Sequence, residues 1–274
     1  MEDVDDVDDL DVADDGRGGP GAERPLTGWV QQAHADAWRE LALCRPHGAV
    51  LDVPGATLVS SGLPFPQYNG ADVSDPVLVD VDVVGAWFAA RGVPWAWRLP
   101  AGTPWAHGPL VVRQRLMGAR PDELRPAAGP DGLVLRAAGP DDLPTVAAVD
   151  VEAFGGDAAV ARAWIGPQLT ATHVTVGLAL LGDEPVGTAY TVRSDGDAGP
   201  AVLLAGVGVV PRARGRGVAA ALSSWLVAES VEAGAGLAHL QPDDERAARV
   251  YARLGFTEVG GLDIRAAPEG PTAS

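Results

Sequence analysis

The residues best suited to chemistry lie in one short segment, in which an apolar strand leads through glycines and arginines into a helix. The strand covers residues 207–210, Pro211 ends it, and Gly215 and Gly217 free the backbone for a tight turn. A helix is predicted from Val218, because apolar residues recur from there with a period of about 3.6 residues. The unpaired N–H groups of its first turn face the glycine loop, where the helix dipole also favours an anion. The segment therefore predicts a site for phosphate groups.

Three arginines add positive charge that can neutralise a diphosphate: Arg212, Arg214 and Arg216. On the loop alone, a plain strand-to-helix turn with surface arginines is the simplest interpretation. A dinucleotide site is the second, because Gly215-x-Gly217-x-x-Ala220 fits the relaxed fingerprint and acids follow at Asp243 and Asp244. A Walker loop is excluded, because the chain contains no lysine.

The sequence downstream favours a third interpretation. Residues 237–241 predict a second short strand, and residues 244–256 predict a helix that ends at Gly255 before a strand restarts at Phe256. The patterns Val-x-Pro-x-x-Arg-Gly-x-Gly and Asp-x-x-Ala-x-x-Val-Tyr-x-x-x-Gly-Phe together resemble the GNAT superfamily of acyl-CoA-dependent acetyltransferases. The resemblance runs from about Leu133 to about Ile264.

The resemblance implies a binding site for acetyl-CoA. In that superfamily the strand before the loop separates from its neighbour and binds the pantetheine arm, while the loop and the first helical turn bind the pyrophosphate. Asp244 stands where many relatives carry asparagine, and its carboxylate can still cap the helix. The implied cofactor-binding residues are Val207, Val209, Arg212, Arg214, Gly215, Arg216, Gly217, Val218, Ala219 and Asp244.

The resemblance also implies direct attack of an amine on the thioester. Tyr251 matches the superfamily's tyrosine and is the expected general acid; a phenol with a pKa of about 10 can donate to a departing thiolate. The alternative is that Tyr251 only packs. The backbone N–H of Val209 is the expected oxyanion donor. No acid lies in residues 202–210, so Glu152 is the candidate base, with Asp150, His239 and a water chain as the other routes.

The implied fold is α/β: a mixed, mostly antiparallel sheet flanked by helices, present in two tandem GNAT-like domains. Six of the eight tryptophans fall between Trp29 and Trp105, which indicates a globular amino-terminal half. This half resembles the degenerate copy of actinobacterial two-part GNAT proteins, and Phe88-Ala-Ala-Arg-Gly-Val93 matches the spacing of Tyr251 to Phe256. An unrelated small domain is the alternative. We expect five segments: an acidic disordered tail (1–22), a degenerate GNAT-like domain (23–120), a linker (121–132), a catalytic domain (133–266) and a disordered tail (267–274). The degenerate domain is expected to shape the acceptor pocket or an interface.

The composition limits the kinds of ligand and the cellular compartment that we expect for this protein. A net charge of −17 argues against nucleic acid, and the apolar runs are too short to span a bilayer. Cys44 is the lone cysteine, which excludes an intrachain disulfide, and the five histidines have no paired metal spacing. The acidic start is unlike a signal peptide. We therefore expect a cytoplasmic bacterial protein without metal, from a GC-rich genome.

The expected function is transfer of an acetyl group from acetyl-CoA, as co-substrate, to an amine in a ternary complex. The alternative is a non-catalytic acyl-CoA-binding sensor or partner subunit, which the missing strand glutamate favours. The sequence does not identify the acceptor or the oligomeric state, and it is compatible with a homodimer.

Overall fold

Both halves of the chain contribute strands to one sheet in the computed structural model, which describes residues 25–267. The amino half contains helices α1 (Leu26–Leu43) and α2 (Val81–Ala89), and strands β1 (Ala49–Val53), β2 (Ala56–Ser60), β3 (Asn69–Val73), β4 (Ala96–Pro100) and β5 (Leu110–Ala119). The carboxy half contains helices α3 (Leu143–Phe154), α4 (Ala158–Ile165), α5 (Val218–Glu232) and α6 (Glu245–Arg253), and strands β6 (Leu133–Ala137), β7 (Val174–Leu181), β8 (Glu184–Gly196), β9 (Gly199–Val209), β10 (Leu237–Leu240) and β11 (Thr257–Ala266). The two terminal tails expected from the sequence lie outside these residues, apart from Ala267.

The two halves exchange strands. Within residues 25–267 the order across the sheet is β1-β2-β3-β4-β11-β5-β10-β9-β8-β7-β6. Strand β5 of the amino half lies between β10 and β11 and is antiparallel to both, while β11 lies against β4 of the amino half. Strand β5 of the amino half thus lies among strands of the carboxy half, and β11 of the carboxy half lies next to β4 of the amino half.

The exchanged strands are joined by a carboxylate on β11. Asp263 is 1% exposed and accepts two hydrogen bonds from the Arg113 guanidinium of β5, at 2.6 and 2.9 Å. It also accepts one from the backbone N–H of Gly102, which follows β4, at 3.0 Å. One side chain thus connects three segments drawn from both halves.

The amino half repeats the order of elements of the carboxy half. Antiparallel β2 and β3 are followed by α2 and the parallel strand β4, just as β8 and β9 are followed by α5 and the parallel strand β10. This order supports the prediction of a second, reduced copy. Phe88 lies in the last turn of α2, however, and α2 corresponds in this order to α5 and not to α6. The sequence match between Phe88 and Tyr251 therefore pairs the wrong helices, and no helix is found in the described segment between β4 and β5.

Helices cover the central strands on both faces. Along β9, Val202 and Leu204 belong to the apolar cluster that α5 and α6 complete, whereas Leu203 belongs to the cluster that α1, α3 and α4 complete. This alternation is what a strand buried on both faces requires. No helix within residues 25–267 is long and apolar enough to cross a membrane.

Candidate active site

The strand before the glycine loop separates from its parallel neighbour. Strands β9 and β10 pair only up to Leu204 and Leu240, where β10 ends, while β9 continues to Val209. Five backbone positions of β9 thus extend past the parallel ladder. The parallel pairing therefore stops five residues before β9 ends.

A bulge in β9 accompanies this separation. The register with β8 shifts between the pairs Thr188–Gly208 and Tyr190–Ala205, so β9 carries extra backbone there. Gly206 in the bulge has a φ of +60°, and a Cβ on it would lie 2.6 Å from the Tyr190 ring. Only glycine combines that backbone conformation with such close ring contact.

The amide of Val209 points into the gap. The N–H of Val210 donates to the carbonyl of Val186 on β8 at 3.0 Å. Because consecutive peptide groups of a strand face opposite sides, the N–H of Val209 is directed away from β8. The N–H of Val209, the expected oxyanion donor, therefore lies on the edge of β9 opposite β8, beyond the last pair with β10.

The glycine loop leaves the first turn of α5 open. Gly215 and Gly217 have φ values of +75° and +87°, and Gly217 is the N-cap without any side-chain cap. The first intrahelical bond runs from the N–H of Ala221 to the Gly217 carbonyl at 3.0 Å. The three amides before Ala221 lie in the turn that the helix ladder leaves unpaired.

A cavity of about 510 Å³ lies between this loop and α6. Nine of the residues expected from the sequence line it: Val207, Val209, Arg214, Gly215, Gly217, Val218, Ala219, Asp244 and Tyr251. Arg212, Arg216 and Glu152 do not line it. The structure thus brings the motif residues of the β9 loop and of α6 to one cavity.

Two of the loop arginines, Arg212 and Arg214, form hydrogen bonds or ion pairs with neighbouring parts of the protein. Arg214 donates to the carbonyl of Val209 at 2.9 Å and to that of Ala153 at 2.7 Å, which ties the loop to β9 and α3. Arg212 forms ion pairs with Glu152 and Glu184 outside the cavity. Arg216 is exposed and makes no ion pair with a described residue.

The positive charge facing the cavity comes chiefly from α6. Arg246, Arg249 and Arg253 line it, and their spacing of three and four residues places them on one helical face. The cofactor-binding residues predicted from the sequence included the loop arginines but not these three. The helical period of residues 246–253 was the signal that could have found them.

Tyr251 is positioned by packing and faces the cavity as well. It is 8% exposed, belongs to the apolar cluster of α5 and α6, and meets the Phe256 ring edge-on at 6.2 Å. Burial, and secondarily the nearby Asp243 carboxylate, raise the pKa of the Tyr251 phenol. The phenol therefore stays protonated at physiological pH, as an acid must.

Asp244 caps α6 as predicted. Its carboxylate accepts a hydrogen bond from the N–H of Ala247 at 2.7 Å. This bond fixes the start of the helix that carries Tyr251.

The three base candidates differ in their surroundings. Glu152 is exposed and held in its ion pair with Arg212. His239 is fully buried, burial lowers its pKa to about 3, and neither ring nitrogen has a hydrogen-bond partner among the described residues. Asp150 is half-buried, and burial raises its pKa. Neither Asp150 nor Glu152 lines the cavity.

A second cavity, of about 1,040 Å³, lies where the halves meet. Side chains from α1, α2, β4, β5 and β11 line it, together with Gln241, which follows β10. Gln241 donates to the Gln114 side chain of β5 at 2.8 Å. Asp243, two residues further on, lines the smaller cavity, so both cavities border the same turn.

The fold is that of GCN5-related N-acetyltransferases. One from Kribbella flavida superposes with a TM-score of 0.68 at 18% identity, covering 92% of this chain and 99% of its own. Another, from Sphaerobacter thermophilus, gives 0.51 at 19% identity, covering 80% and 84%. A tandem GNAT protein from the clavulanic acid biosynthesis pathway gives 0.57 at 14% identity, covering 89% and 96%. At these identities the likeness concerns the fold.

A family model matches part of the sequence. Residues 150–256 match the sequence model of the acetyltransferase (GNAT) family. The matched part of the chain contains β9, the glycine loop and Tyr251. A search of curated proteins found no match.

Proposed function

We propose that this protein transfers an acetyl group from acetyl-CoA to an amine by direct attack. One observation carries the proposal: the gap beside β9, the open first turn of α5 and Tyr251 border a single cavity. An amide donor, an anion site and a neutral acid are the three groups that acyl transfer from a CoA thioester requires. The family match supports the same reaction class.

Each group has a distinct role in the proposed reaction. The amides of the first turn of α5 bind the pyrophosphate, and the arginines of α6 neutralise the remaining phosphate charge. The N–H of Val209 stabilises the oxyanion of the tetrahedral intermediate. Tyr251 then gives its proton to the departing thiolate. We assign the base to Asp150, which removes a proton from the substrate ammonium, directly or through water, so that the free amine can attack; Glu152 is held in its ion pair with Arg212.

Binding of acetyl-CoA tests the first half of the proposal. Calorimetry should show binding to the wild-type protein and a loss of at least about tenfold in affinity for Ala219→Glu, whose carboxylate faces the phosphates. An acid in the first helical turn suits the helix dipole, so the fold should survive. Ala228→Glu, an exposed substitution later in α5, is the matched control and should bind as the wild type does. Absence of binding to the wild type would refute the proposal.

Release of free CoA separates the enzyme from the alternative, a non-catalytic acyl-CoA sensor or partner subunit. The enzyme should release CoA faster with at least one member of a panel of small amines, amino sugars and amino acids than by background hydrolysis. A sensor would bind acetyl-CoA and release none above that background. The cytoplasmic location, the bacterial source and a homodimer stay predictions from the sequence.

A further inference from the structure

A half-exposed aromatic ring borders the smaller cavity, and the reaction described above gives it no role. Phe154, the last residue of α3, is 51% exposed and lines this cavity together with Val209 and Tyr251. A phenylalanine side chain is more often buried, because its apolar area is costly to leave in water. A ligand that fills the cavity covers the ring. Phe154 is therefore placed to meet an apolar part of that ligand.

The ring lies against the backbone of β9, beside the expected oxyanion donor. A Cβ on Gly208 would lie 2.8 Å from Cε2 of Phe154 and 2.9 Å from Cβ of Ala153. Only a glycine at this position lets the end of α3 approach β9 so closely. The peptide group that follows Gly208 carries the N–H of Val209. The ring therefore contacts the residue directly before that donor.

Hydrogen bonds hold the end of α3 at this position. The guanidinium of Arg214 donates to the carbonyl of Ala153 at 2.7 Å and to that of Val209 at 2.9 Å, which ties the end of α3 to β9. The N–H of Gly155 donates to a carbonyl of the preceding helical turn at 2.8 Å. The backbone that carries the Phe154 ring is therefore fixed on both sides.

Phe154 and Tyr251 border the cavity from opposite faces of the sheet. Tyr251 belongs to the apolar cluster that α5 and α6 form with Val209, whereas Gly208, the preceding residue of β9, faces α3. In the proposed reaction the thioester sulfur lies near Tyr251 and the thioester oxygen lies at the N–H of Val209. The acyl chain is the third substituent of the same planar carbon and is directed away from both, towards the Phe154 ring.

We propose that Phe154 determines which acyl group the protein transfers, by selecting acetyl over longer chains. This inference rests on the proposed function. The ring leaves room for the methyl group of an acetyl thioester and occupies the space that the further carbons of a butyryl chain need. Phe154 thus acts on the choice of acyl-CoA and takes no part in proton transfer.

Calorimetry with acetyl-CoA and butyryl-CoA tests this selection without an acceptor. The wild-type protein should bind butyryl-CoA at least about tenfold more weakly than acetyl-CoA, because a pocket discriminates about 10- to 200-fold for a single methylene. Equal affinities, or tighter binding of butyryl-CoA, would overturn the inference alone. Failure of acetyl-CoA to bind would instead refute the proposed function, and the inference with it. This comparison needs no variant to fold.

A variant then assigns the discrimination to the ring. Phe154→Ala should bind butyryl-CoA at least as tightly as acetyl-CoA, while its affinity for acetyl-CoA and its circular dichroism spectrum stay close to those of the wild type. Leu43→Ala is the matched control, since Leu43 is also the last residue of a helix and is 53% exposed, but lines neither cavity. It should discriminate as the wild type does. A discrimination that persists in Phe154→Ala would place the ring away from the acyl chain and overturn the proposal.

Discussion

Replacing Gly206 by alanine should destabilise the protein and close the gap beside β9. The left-handed backbone costs an alanine roughly 1–2 kcal/mol, and forcing its Cβ to within 2.6 Å of the Tyr190 ring adds roughly 1–3 kcal/mol. We therefore expect a loss of roughly 2–5 kcal/mol in the free energy of unfolding. The affinity for acetyl-CoA should fall as well, because the residues after Gly206 on β9, Val207 to Val209, line the cavity.

Gly182 provides the matched control. It also has a positive φ, +63°, but a Cβ there would meet no atom within 4 Å. Gly182→Ala should therefore cost only the backbone term, about 1–2 kcal/mol, and should leave acetyl-CoA binding unchanged. Urea unfolding of both variants measures the difference. In a Tyr190→Leu background the additional cost at Gly206 should largely disappear. Equal costs for the two glycines would refute the role assigned to the bulge.

Three further predictions concern the site and its surroundings. Tyr251→Phe should lower kcat about 100-fold and leave the affinity for acetyl-CoA nearly unchanged, measured by CoA release and calorimetry; lost affinity with normal turnover would show that Tyr251 only packs. Arg249→Ala should weaken acetyl-CoA binding roughly three- to tenfold, the modest effect expected of an exposed cation, whereas Arg91→Ala should not. The pKa of His239 is lowered by burial to about 3, below its unfolded value of about 6.5, so its contribution to stability is complete above pH 6.5 and is lost as the pH falls towards 3. Urea unfolding at pH 7 and pH 5 should show a loss of about 2 kcal/mol from this group, which His239→Leu should abolish; an unchanged loss in that variant would contradict the assignment.

The local parts of the site could be predicted from the sequence. Gly215 and Gly217 indicate positive φ, the apolar period after Val218 indicates α5, and an acid before a helix indicates the cap that Asp244 makes. Each of these signals depends only on residues close in the chain. A glycine inside a strand also indicates a bulge, and Gly206 was a signal of this kind that sequence reasoning did not use.

The long-range parts could not be predicted. Nothing in residues 110–119 indicates that this strand pairs with β10 and β11, which lie more than 100 residues further along the chain. For the same reason, no local sequence pattern predicts that Arg98 is buried over the Trp38 ring. The partners of Arg212 and Arg214 likewise depend on how α3 and the β7–β8 turn pack against the loop.

Hydrogen exchange with and without acetyl-CoA tests the proposed cofactor site, because it reports on the individual backbone amides that are expected to bind the cofactor. Acetyl-CoA should slow exchange in residues 205–220, above all at Val209 and the first turn of α5, and in α6 around Tyr251. The first turn of α2, the corresponding helix of the amino half, should be unaffected. Protection confined to the amino half, or none in residues 205–220, would show that the β9 loop and α5 do not bind acetyl-CoA.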